Sequence, residues 1–527
     1  MFDLIIRGAT VVDGSGQPAD TADVGIANDK IETIGRLDDA TAPVIDAAGM
    51  VCAPGFIDMH SHNDLAYFWE PPPEAKIRQG ITTELIGQDG LGVAPLNARD
   101  IAVLADLQAG LNGKIDAPQW SWGSFAEYLD ALAARPLSNN AAVLVSHGPV
   151  RLTVMGMAER DAAESEIEAM RMHVREALTA GAFGFSTGLI YPPCSYAPTA
   201  ELIALNREVA DFECIFVVHQ RDEGHHLARS FDEVCDVSRQ SGARLHVSHL
   251  QAYGRVNWPI MDTVLAKADR FLAEGRTVTW DRYPYLAGST VLSAVLPLWT
   301  LNEGPAALVA NLKDPAYREK IHQEFGKGLD YWHNRQMTVG WENIIVSAVC
   351  NAHNRWMEGL SCREIASRRG QDPIDTVCDL LAEEKLAVTM ISFYGSDDIL
   401  EKVLTHPQAT VGSDGIYGGR PHPRLYGAYP RFIERFVRDQ GHLRLEEAIR
   451  KITSFPAGIL GIADRGLIKE GCFADLVIFD PALIADAATY EEPERNPIGI
   501  AHVLVNGRPV VSNGQMTGKY PGRVLRK

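Results

Sequence analysis

Short apolar runs separated by Gly, Asn and Asp turns mark both ends of the chain. At the start they are DLIIRGATVVDG, ADVGIANDKIETIG and APVIDAAGMVCAPG, and near the end they are ADLVIFD, AHVLVNGRPVVSNG and RVLRK. Short runs rich in β-branched and aliphatic residues and bounded by such turns are typical of β-strands. The pattern therefore predicts one small β domain built from residues 1–54 and 462–527 together.

The middle of the chain, residues 55–461, alternates between apolar strands and stretches with helical spacing. Eight predicted strands end in the segments GFIDMHSHND, TTELIGQDG, AAVLVSHGPVR, GAFGFSTGLIYP, CIFVVHQRDE, RLHVSHLQAYG, TVTWDRYPY and ATVGSDG. Eight parallel strands alternating with helices make an α/β fold of the (β/α)8 barrel type, whose active sites lie at the C-terminal ends of the strands. The stretch from about 290 to 345 exceeds an ordinary connection, and we expect it to form a lid over that end.

The composition disfavours several classes of partner. The chain has 527 residues, of which 46% are hydrophobic and 22% charged, and its formal net charge is −19. Because such an acidic surface repels nucleic acid and anionic membranes, we expect a small-molecule substrate. No apolar run is long enough to cross a bilayer, and the start, MFDLIIRG, lacks the basic residues and long apolar run of a signal peptide. Eight scattered cysteines without a CxxC pair indicate reduced thiols and predict a cytoplasmic location; a homo-oligomer stays open.

Histidines and an acid stand where several predicted strands end. His60 and His62, in DMHSH, are two residues apart, and alternate residues of a strand point to the same face. Taken alone, the pair could also be two chance histidines in a loop. His219, His249 and Asp414 each follow the apolar run of a different strand, and a barrel brings such positions together at one rim. The five residues together predict a metal site.

Six segments carry a resemblance to a known family. They are PGFIDMHSH, GAFGFSTGLIYPP, HQRDEG, VSHLQAYG, VGSDG and RPHPRLYGAYPRF, and together they span the predicted barrel. The set resembles the N-acyl-D-amino-acid deacylase (D-aminoacylase) family of the amidohydrolase superfamily. The resemblance implies a β-sandwich form for the small domain and one or two Zn²⁺ ions, with Mn²⁺ or Co²⁺ as alternatives. It also implies hydrolysis of N-acyl-D-amino acids to a carboxylic acid and a D-amino acid.

The turn GQDG, residues 87–90, departs from the family, which usually has GNCG at this place. Many amidohydrolases bridge two metals with a carboxylated lysine on the fourth strand. Here Lys267 is the only lysine between residues 143 and 288, and it lies in a helical stretch. Asp89 occupies the position of the family's cysteine, and a carboxylate can reach two cations through its two oxygens.

The resemblance therefore implies that Asp89 joins His219 and His249 at one metal while reaching toward His60 and His62 at the other. The alternative is that Asp89 only hydrogen-bonds its glycine turn. Because carboxylate oxygen is a harder ligand than thiolate sulfur, the substitution should loosen the preference for zinc. It leaves the identity and number of the metals open.

The expected chemistry is amide hydrolysis by metal-activated water, with Asp414 taking the water's proton and passing it to the leaving amine. The alternative for Asp414 is a cap on its SDG turn. The resemblance assigns Tyr191 and Arg424 to the substrate's α-carboxylate, and Tyr283 is expected to line the pocket. Gln251 stands where the family often has a lysine. Because Gln251 lacks the positive charge of that lysine, a D-dipeptidase or a cyclic-amide hydrolase remains an alternative function.

Two residues and one protein class complete the predictions. His147 ends the third predicted strand. It has either a structural role or a role in supporting the metal ligands. Asp281, in DRYPY, is expected to line the pocket. A non-catalytic scaffold on the same fold is a third alternative, but such relatives typically lose metal histidines that this chain retains.

Overall fold

The computed structural model describes residues 1–38, 41–112, 120–329 and 333–527. The strands are, in chain order, β1 Leu4–Val11, β2 Asp20–Ala27, β3 Lys30–Gly35, β4 Val44–Asp46, β5 Val51–Pro54, β6 Phe56–Asp58, β7 Ile81–Ile86, β8 Asn140–Val143, β9 Val145–Ser146, β10 Gly184–Gly188, β11 Ile215–His219, β12 Arg244–Val247, β13 Val278–Asp281, β14 Ala287–Val291, β15 Ile344–Val349, β16 Val388–Phe393, β17 Ala409–Thr410, β18 Leu476–Phe479, β19 Ile500–Val505, β20 Arg508–Ser512 and β21 Gln515–Met516.

The helices are α1 Ile101–Asn112, α2 Phe125–Ala133, α3 His147–Met155, α4 Glu164–Thr179, α5 Thr199–Asp211, α6 Leu227–Ser241, α7 Ile260–Ala273, α8 Pro305–Asn311, α9 Pro315–Phe325, α10 Arg335–Val339, α11 Cys362–Arg369, α12 Pro373–Glu383, α13 Asp397–Thr405, α14 Arg424–Ile433, α15 Leu445–Ile452 and α16 Ser454–Leu460. None of these helices within the described ranges is both long and apolar enough to span a membrane.

Strands from both ends of the chain form one sheet in the order β21-β20-β19-β18-β5-β1-β2-β3, with β4 beside β1. The two ends meet where β18 pairs antiparallel with β5. Alternate side chains of β18 enter different cores: Leu476 and Ile478 pack with β1 and β2, whereas Val477 and Phe479 pack toward the barrel. Both faces are therefore buried, which explains the continuous apolar run of this strand.

Eight parallel strand segments follow each other around a barrel: β6, β7, β8 with β9, β10, β11, β12, β13 and β17. The backbone amide of Leu144 donates to Ile86 across the junction between the two barrel sheets. A parallel bridge between Ser61 and Gly415 closes the ring between the first and last strands. The predicted (β/α)8 fold with a small β domain from both termini is confirmed, while the proposed domain boundaries stay a prediction.

The chain between β13 and β17 makes a long excursion from the barrel. It carries an antiparallel sheet in the order β14-β16-β15 together with the helices α8 to α12. These elements share an apolar core of their own, which includes Leu308, Ile365 and Leu381. The segment 290–345 lies inside this insert, and its action as a lid stays a prediction.

A buried polar cluster joins the barrel to the terminal sheet. Asp475, just before β18, pairs with Arg465 and accepts a hydrogen bond from Asn140 of β8 at 3.2 Å. It also accepts one from the backbone amide of Asn506 at 2.7 Å. Because the pair is buried, each charge depends on the other for its solvation.

We therefore predict that Asp475→Ala destabilises the fold by about 3–5 kcal/mol, since it leaves the Arg465 charge buried and unpaired. The control is Asp130→Ala, which breaks an exposed ion pair with Arg526 and should cost less than about 1 kcal/mol. Thermal unfolding midpoints of the two variants measure the difference. Equal midpoints would show that the cluster does not tie the barrel to the sheet.

Candidate metal centre and active-site cavity

The polar residues predicted from the strand ends do meet at one rim of the barrel. His60 and His62 follow β6, Asp89 follows β7, and His219 is the last residue of β11. His249 and Asp414 follow β12 and β17 in the same way. All six side chains are buried, because the C-terminal ends of parallel strands converge under the insert.

One group of possible ligand atoms comprises His60, His62 and Asp89. His60 Nε2 lies 3.3 Å from His62 Nε2 and 3.4 Å from Asp89 Oδ2. Tetrahedral ligands held about 2.0–2.1 Å from a zinc ion lie about 3.3 Å from one another. The spacing of these atoms therefore fits a divalent metal.

A second group comprises Asp89, His219 and His249. His219 Nδ1 lies 2.8 Å from His249 Nε2 and 3.6 Å from Asp89 Oδ2. His249 Nε2 is 3.5 Å from the same carboxylate oxygen. Asp89 belongs to both groups, and its Oδ1 atom is buried without a hydrogen-bond partner.

Asp414 lies beside the first group. Its Oδ1 is 3.2 Å from His62 Nε2 and 3.6 Å from His60 Nε2, while its Oδ2 is 2.9 Å from Nη1 of Arg424. Its backbone amide donates to the carbonyl of His60 at 2.8 Å, which ties the eighth strand to the first. The side chain thus points at the metal-ligand groups rather than capping its own turn.

Three of the six residues have a left-handed backbone that side chains rarely adopt. The φ angles are 55° at Asp89, 32° at His249 and 49° at Asp414. Each costs on the order of 1–3 kcal/mol, and such strain is concentrated at functional sites. The conformation turns each side chain inward at the point where its strand ends.

The carboxylates at this rim favour the binding of protons or of a cation. Burial alone would raise the pKa of Asp89, but His60 and hydrogen bonds from His219 and His249 hold that pKa well below its usual range. Burial alone would lower the pKa of His60, but Asp89, Asp414 and Asp281 raise it to about 10. A divalent cation can supply the same charge in place of protons, so the residues fit a metal.

Two carboxylates stand behind the histidines. Glu223 Oε1 lies 3.0 Å from His249 Nδ1, and its Oε2 lies 3.7 Å from His219 Nε2. Asp281 Oδ2 lies 3.5 Å from His60 Nδ1, so Asp281 supports a histidine from behind instead of lining the pocket as expected. Glu223 was not predicted, although its place four residues after His219 is visible in HQRDEG.

His147 lies away from this rim. Its ring nitrogens bond Thr187 Oγ1 at 2.9 Å and Glu201 Oε1 at 2.9 Å, and the side chain is buried. These contacts give it a structural position in the barrel wall.

A small cavity opens above the histidines. Tyr191, Gln251 and Tyr283 line it, and the Tyr191 hydroxyl bonds Thr290 Oγ1 at 2.8 Å. Arg424 lies behind the ring of Tyr283, with its guanidinium carbon 4.3 Å from the ring centre. Tyr191, Gln251 and Tyr283 are thus placed at the cavity wall, whereas Arg424 is buried one layer deeper.

Both ends of the Gln251 amide are engaged. Its Nε2 donates to Glu223 Oε2 at 2.8 Å, and its Oε1 accepts from Arg282 Nη1 at 3.0 Å and from the Tyr283 hydroxyl at 3.1 Å. The Tyr394 hydroxyl donates to the same oxygen. Gln251 therefore links the carboxylate behind the histidines to a buried arginine.

Known proteins resemble this chain along its whole length. The family described as "Amidohydrolase family" matches residues 43–511. The chain is 34% identical to the D-aminoacylase of Alcaligenes xylosoxydans xylosoxydans, with 100% of this chain and 98% of that protein covered. It is 35% identical to the N-acyl-D-glutamate deacylase of the same organism, with 100% and 97% covered.

Solved structures agree. The N-acyl-D-glutamate deacylase from Bordetella bronchiseptica, crystallised with zinc and a phosphonate inhibitor, superposes with a TM-score of 0.83 at 32% identity over 100% of both chains. A D-hydantoinase superposes with a TM-score of 0.56 at 15% identity, which shows a shared fold alone. The resemblance drawn from the six sequence segments is confirmed: the chain belongs to the amidohydrolase family, and the D-aminoacylases and N-acyl-D-amino-acid deacylases are its relatives there.

Proposed function

We propose that this protein is a metal-dependent deacylase that hydrolyses N-acyl-D-amino acids to a carboxylic acid and a D-amino acid. The observation that carries the proposal is Asp89, whose Oδ2 lies within 4 Å of four histidines from three strands. The full-length relatives named D-aminoacylase and N-acyl-D-glutamate deacylase supply the substrate class.

In this proposal Asp89 would serve two metal positions. His60 and His62 would hold a metal at one position with it, and His219 and His249 would do so at the other. Zinc suits this set of nitrogen and oxygen donors, and manganese or cobalt are alternatives. When bound, the metal would lower the pKa of a water molecule and polarise the scissile carbonyl.

Asp414 is the proposed proton carrier. Burial alone would raise the pKa of Asp414, but the charges of Arg424 and His60 hold that pKa well below its usual range. The carboxylate is therefore ionised at neutral pH and can accept the proton of the attacking water. It then returns that proton to the leaving amine.

The cavity wall holds the substrate. We assign Tyr191, at the wall, and Arg424, one layer behind it, to the α-carboxylate; Nε of Arg424 is buried without a hydrogen bond in the described structure, while its Nη1 lies 2.9 Å from Asp414 Oδ2. Gln251 and Tyr283 form the wall beside it. The segment 290–345 supplies Thr290 and Arg335 to the same cavity, which supports a lid role for it.

Two further assignments complete the proposal. The likeness to hydantoinases extends to the fold alone, so a cyclic-amide hydrolase is not favoured. The full-length relatives named D-aminoacylase and N-acyl-D-glutamate deacylase favour the deacylase over a D-dipeptidase. The cysteines of the described ranges are all free thiols, which fits a location in the reducing cytoplasm.

The first test is turnover of matched N-acetyl-D- and N-acetyl-L-amino acids by protein supplied with Zn²⁺, Mn²⁺ or Co²⁺, with D-dipeptides and a hydantoin added. We expect release of free amine from the D-acyl compounds. Asp414→Asn should lower kcat by roughly 10²–10⁴-fold, since a positioned general base contributes about that much. Turnover confined to dipeptides or hydantoin would refute the deacylase assignment.

Asp89→Cys restores the sulfur usual in the family and should shift metal preference. After exposure to equal Zn²⁺, Mn²⁺ and Co²⁺ and removal of free ions, mass spectrometry should find a larger zinc share in the variant than in the wild type, because thiolate is a softer ligand. Asp89→Ala should lower the total metal content of both positions. An unchanged metal distribution in Asp89→Cys would exclude Asp89 as a ligand.

Glu223→Gln should weaken metal binding about 10–100-fold, because it removes the carboxylate that orients two histidines from behind. Competition with a chelator of known affinity measures the change. The control is the neighbouring Asp222→Asn. In the described part of the chain Asp222 Oδ1 accepts hydrogen bonds from the backbone amides of Gly224 and His226, and the side-chain oxygen of asparagine can accept the same bonds. Equal metal affinity in both variants would remove Glu223 from the metal site.

A further inference from the structure

Arg335 is a buried cation that has no ion pair within 4 Å among the described residues. It opens α10 of the insert, is only 5% exposed, and packs its guanidinium carbon 4.7 Å from the centre of the Tyr253 ring. The carboxylate of Glu223 acts on it electrostatically from farther away. By contrast, the buried Arg424 and Arg465 each pair with an aspartate.

A buried charge is costly to desolvate unless something compensates it. The Tyr253 ring compensates in part, since a cation over an aromatic face contributes on the order of 0.5–2 kcal/mol, and the more distant charge of Glu223 adds to this. Arg335 also lines the active-site cavity. An anion in that cavity would complete its coordination.

The position of Arg335 also suits contact with an entering molecule. Beyond the cavity lies a larger open cleft, and Arg335 lines both spaces. Within the described part of the chain, it is the only arginine or lysine that lines the inner cavity. The other candidate position for a cation, 251, holds a glutamine whose amide is fully engaged.

We propose that Arg335 binds a second carboxylate of the substrate, in addition to the α-carboxylate. The preferred substrates are then dicarboxylates: N-acyl-D-amino acids with an acidic side chain, or with an acid at the far end of the acyl group. The planar guanidinium pairs with a carboxylate through two parallel hydrogen bonds. This inference rests on the proposed function and narrows its substrate class.

Overall similarity does not decide this point. The chain is 34% identical to a D-aminoacylase, 35% to an N-acyl-D-glutamate deacylase and 34% to an N-acyl-D-aspartate deacylase. The three values are too close to separate acidic from neutral side chains. The cavity residue Arg335 is therefore the better guide.

The experiment compares charged and neutral substrates of matched shape on metal-loaded enzyme. One pair is N-acetyl-D-glutamate and N-acetyl-D-glutamine, and the other is N-succinyl-D-leucine and N-butanoyl-D-leucine. We expect kcat/KM to favour the charged member of one pair by roughly 100-fold, because an ionic hydrogen-bonded contact is lost with the neutral member. The pair that shows the preference identifies the source of the carboxylate.

Arg335→Gln should bring the two members of that pair close to equality while changing turnover of the neutral member less than about threefold. Arg335→Lys should keep part of the preference, since a lysine retains the charge without the planar fork. The control is Arg229→Gln, which removes an exposed arginine of the outer cleft and should keep the preference.

Two results would overturn the inference. The first is a wild type that turns over both members of each pair with equal kcat/KM. The second is an Arg335→Gln variant in which kcat/KM falls equally for the charged and the neutral member. The equal loss would mean that Arg335 binds the α-carboxylate, positions Glu223 or stabilises the fold. Calorimetric titration of metal-loaded Asp414→Asn protein with the same compounds separates the two proposals. If the charged compound of a pair binds more tightly than its neutral partner, and Arg335→Gln removes that difference, this inference is supported. If the wild type also hydrolyses none of the panel, the deacylase proposal is refuted while this inference stands.

Discussion

Four histidines converge on a single carboxylate oxygen, and this constraint organises the rest of the site. Asp89 Oδ2 is 3.4 Å from His60, 3.9 Å from His62, 3.6 Å from His219 and 3.5 Å from His249. In a buried rim such an arrangement is stable only if protons or metal ions share the negative charge. The barrel makes this arrangement possible because the four strands that carry these residues, β6, β7, β11 and β12, end at the same rim. The left-handed backbone at Asp89 turns its side chain inward.

Charges of alternating sign surround this oxygen in layers. Glu223 and Asp281 stand behind histidines, and Asp58, two residues before His60, forms a buried ion pair with Lys76 at 2.9 Å. Asp58 also accepts a hydrogen bond from the backbone amide of Ser413 at 2.8 Å, which fixes the position of the neighbouring Asp414, the proposed general base. The proposed ligands are thereby held by partners whose own positions are fixed, which is the condition for a preorganised site.

The sequence predicts the barrel strands well because each is an apolar run that ends in a polar residue, and burial on both faces produces that signal directly. Asp89 is recognisable because it stands at a defined position in a glycine turn. Glu223 and Arg335 cannot be recognised from the sequence, because their proposed roles depend on contacts with other strands or with the insert. Asp281 shows the same limit, since its sequence position does not reveal whether it faces the cavity or the back of His60.

The neutral residue at position 251 becomes understandable once its surroundings are considered. Arg282 lies directly behind Gln251 and donates to its amide oxygen, while Glu223 accepts from its amide nitrogen. A lysine at 251 would bring a second positive charge next to Arg282 in a dry environment, where like charges repel strongly. The wall around position 251 can therefore hold one cation, and here that cation, Arg282, is buried behind Gln251. In our proposal the positive charge that binds the second carboxylate of the substrate comes instead from Arg335 of the insert, which lines the cavity.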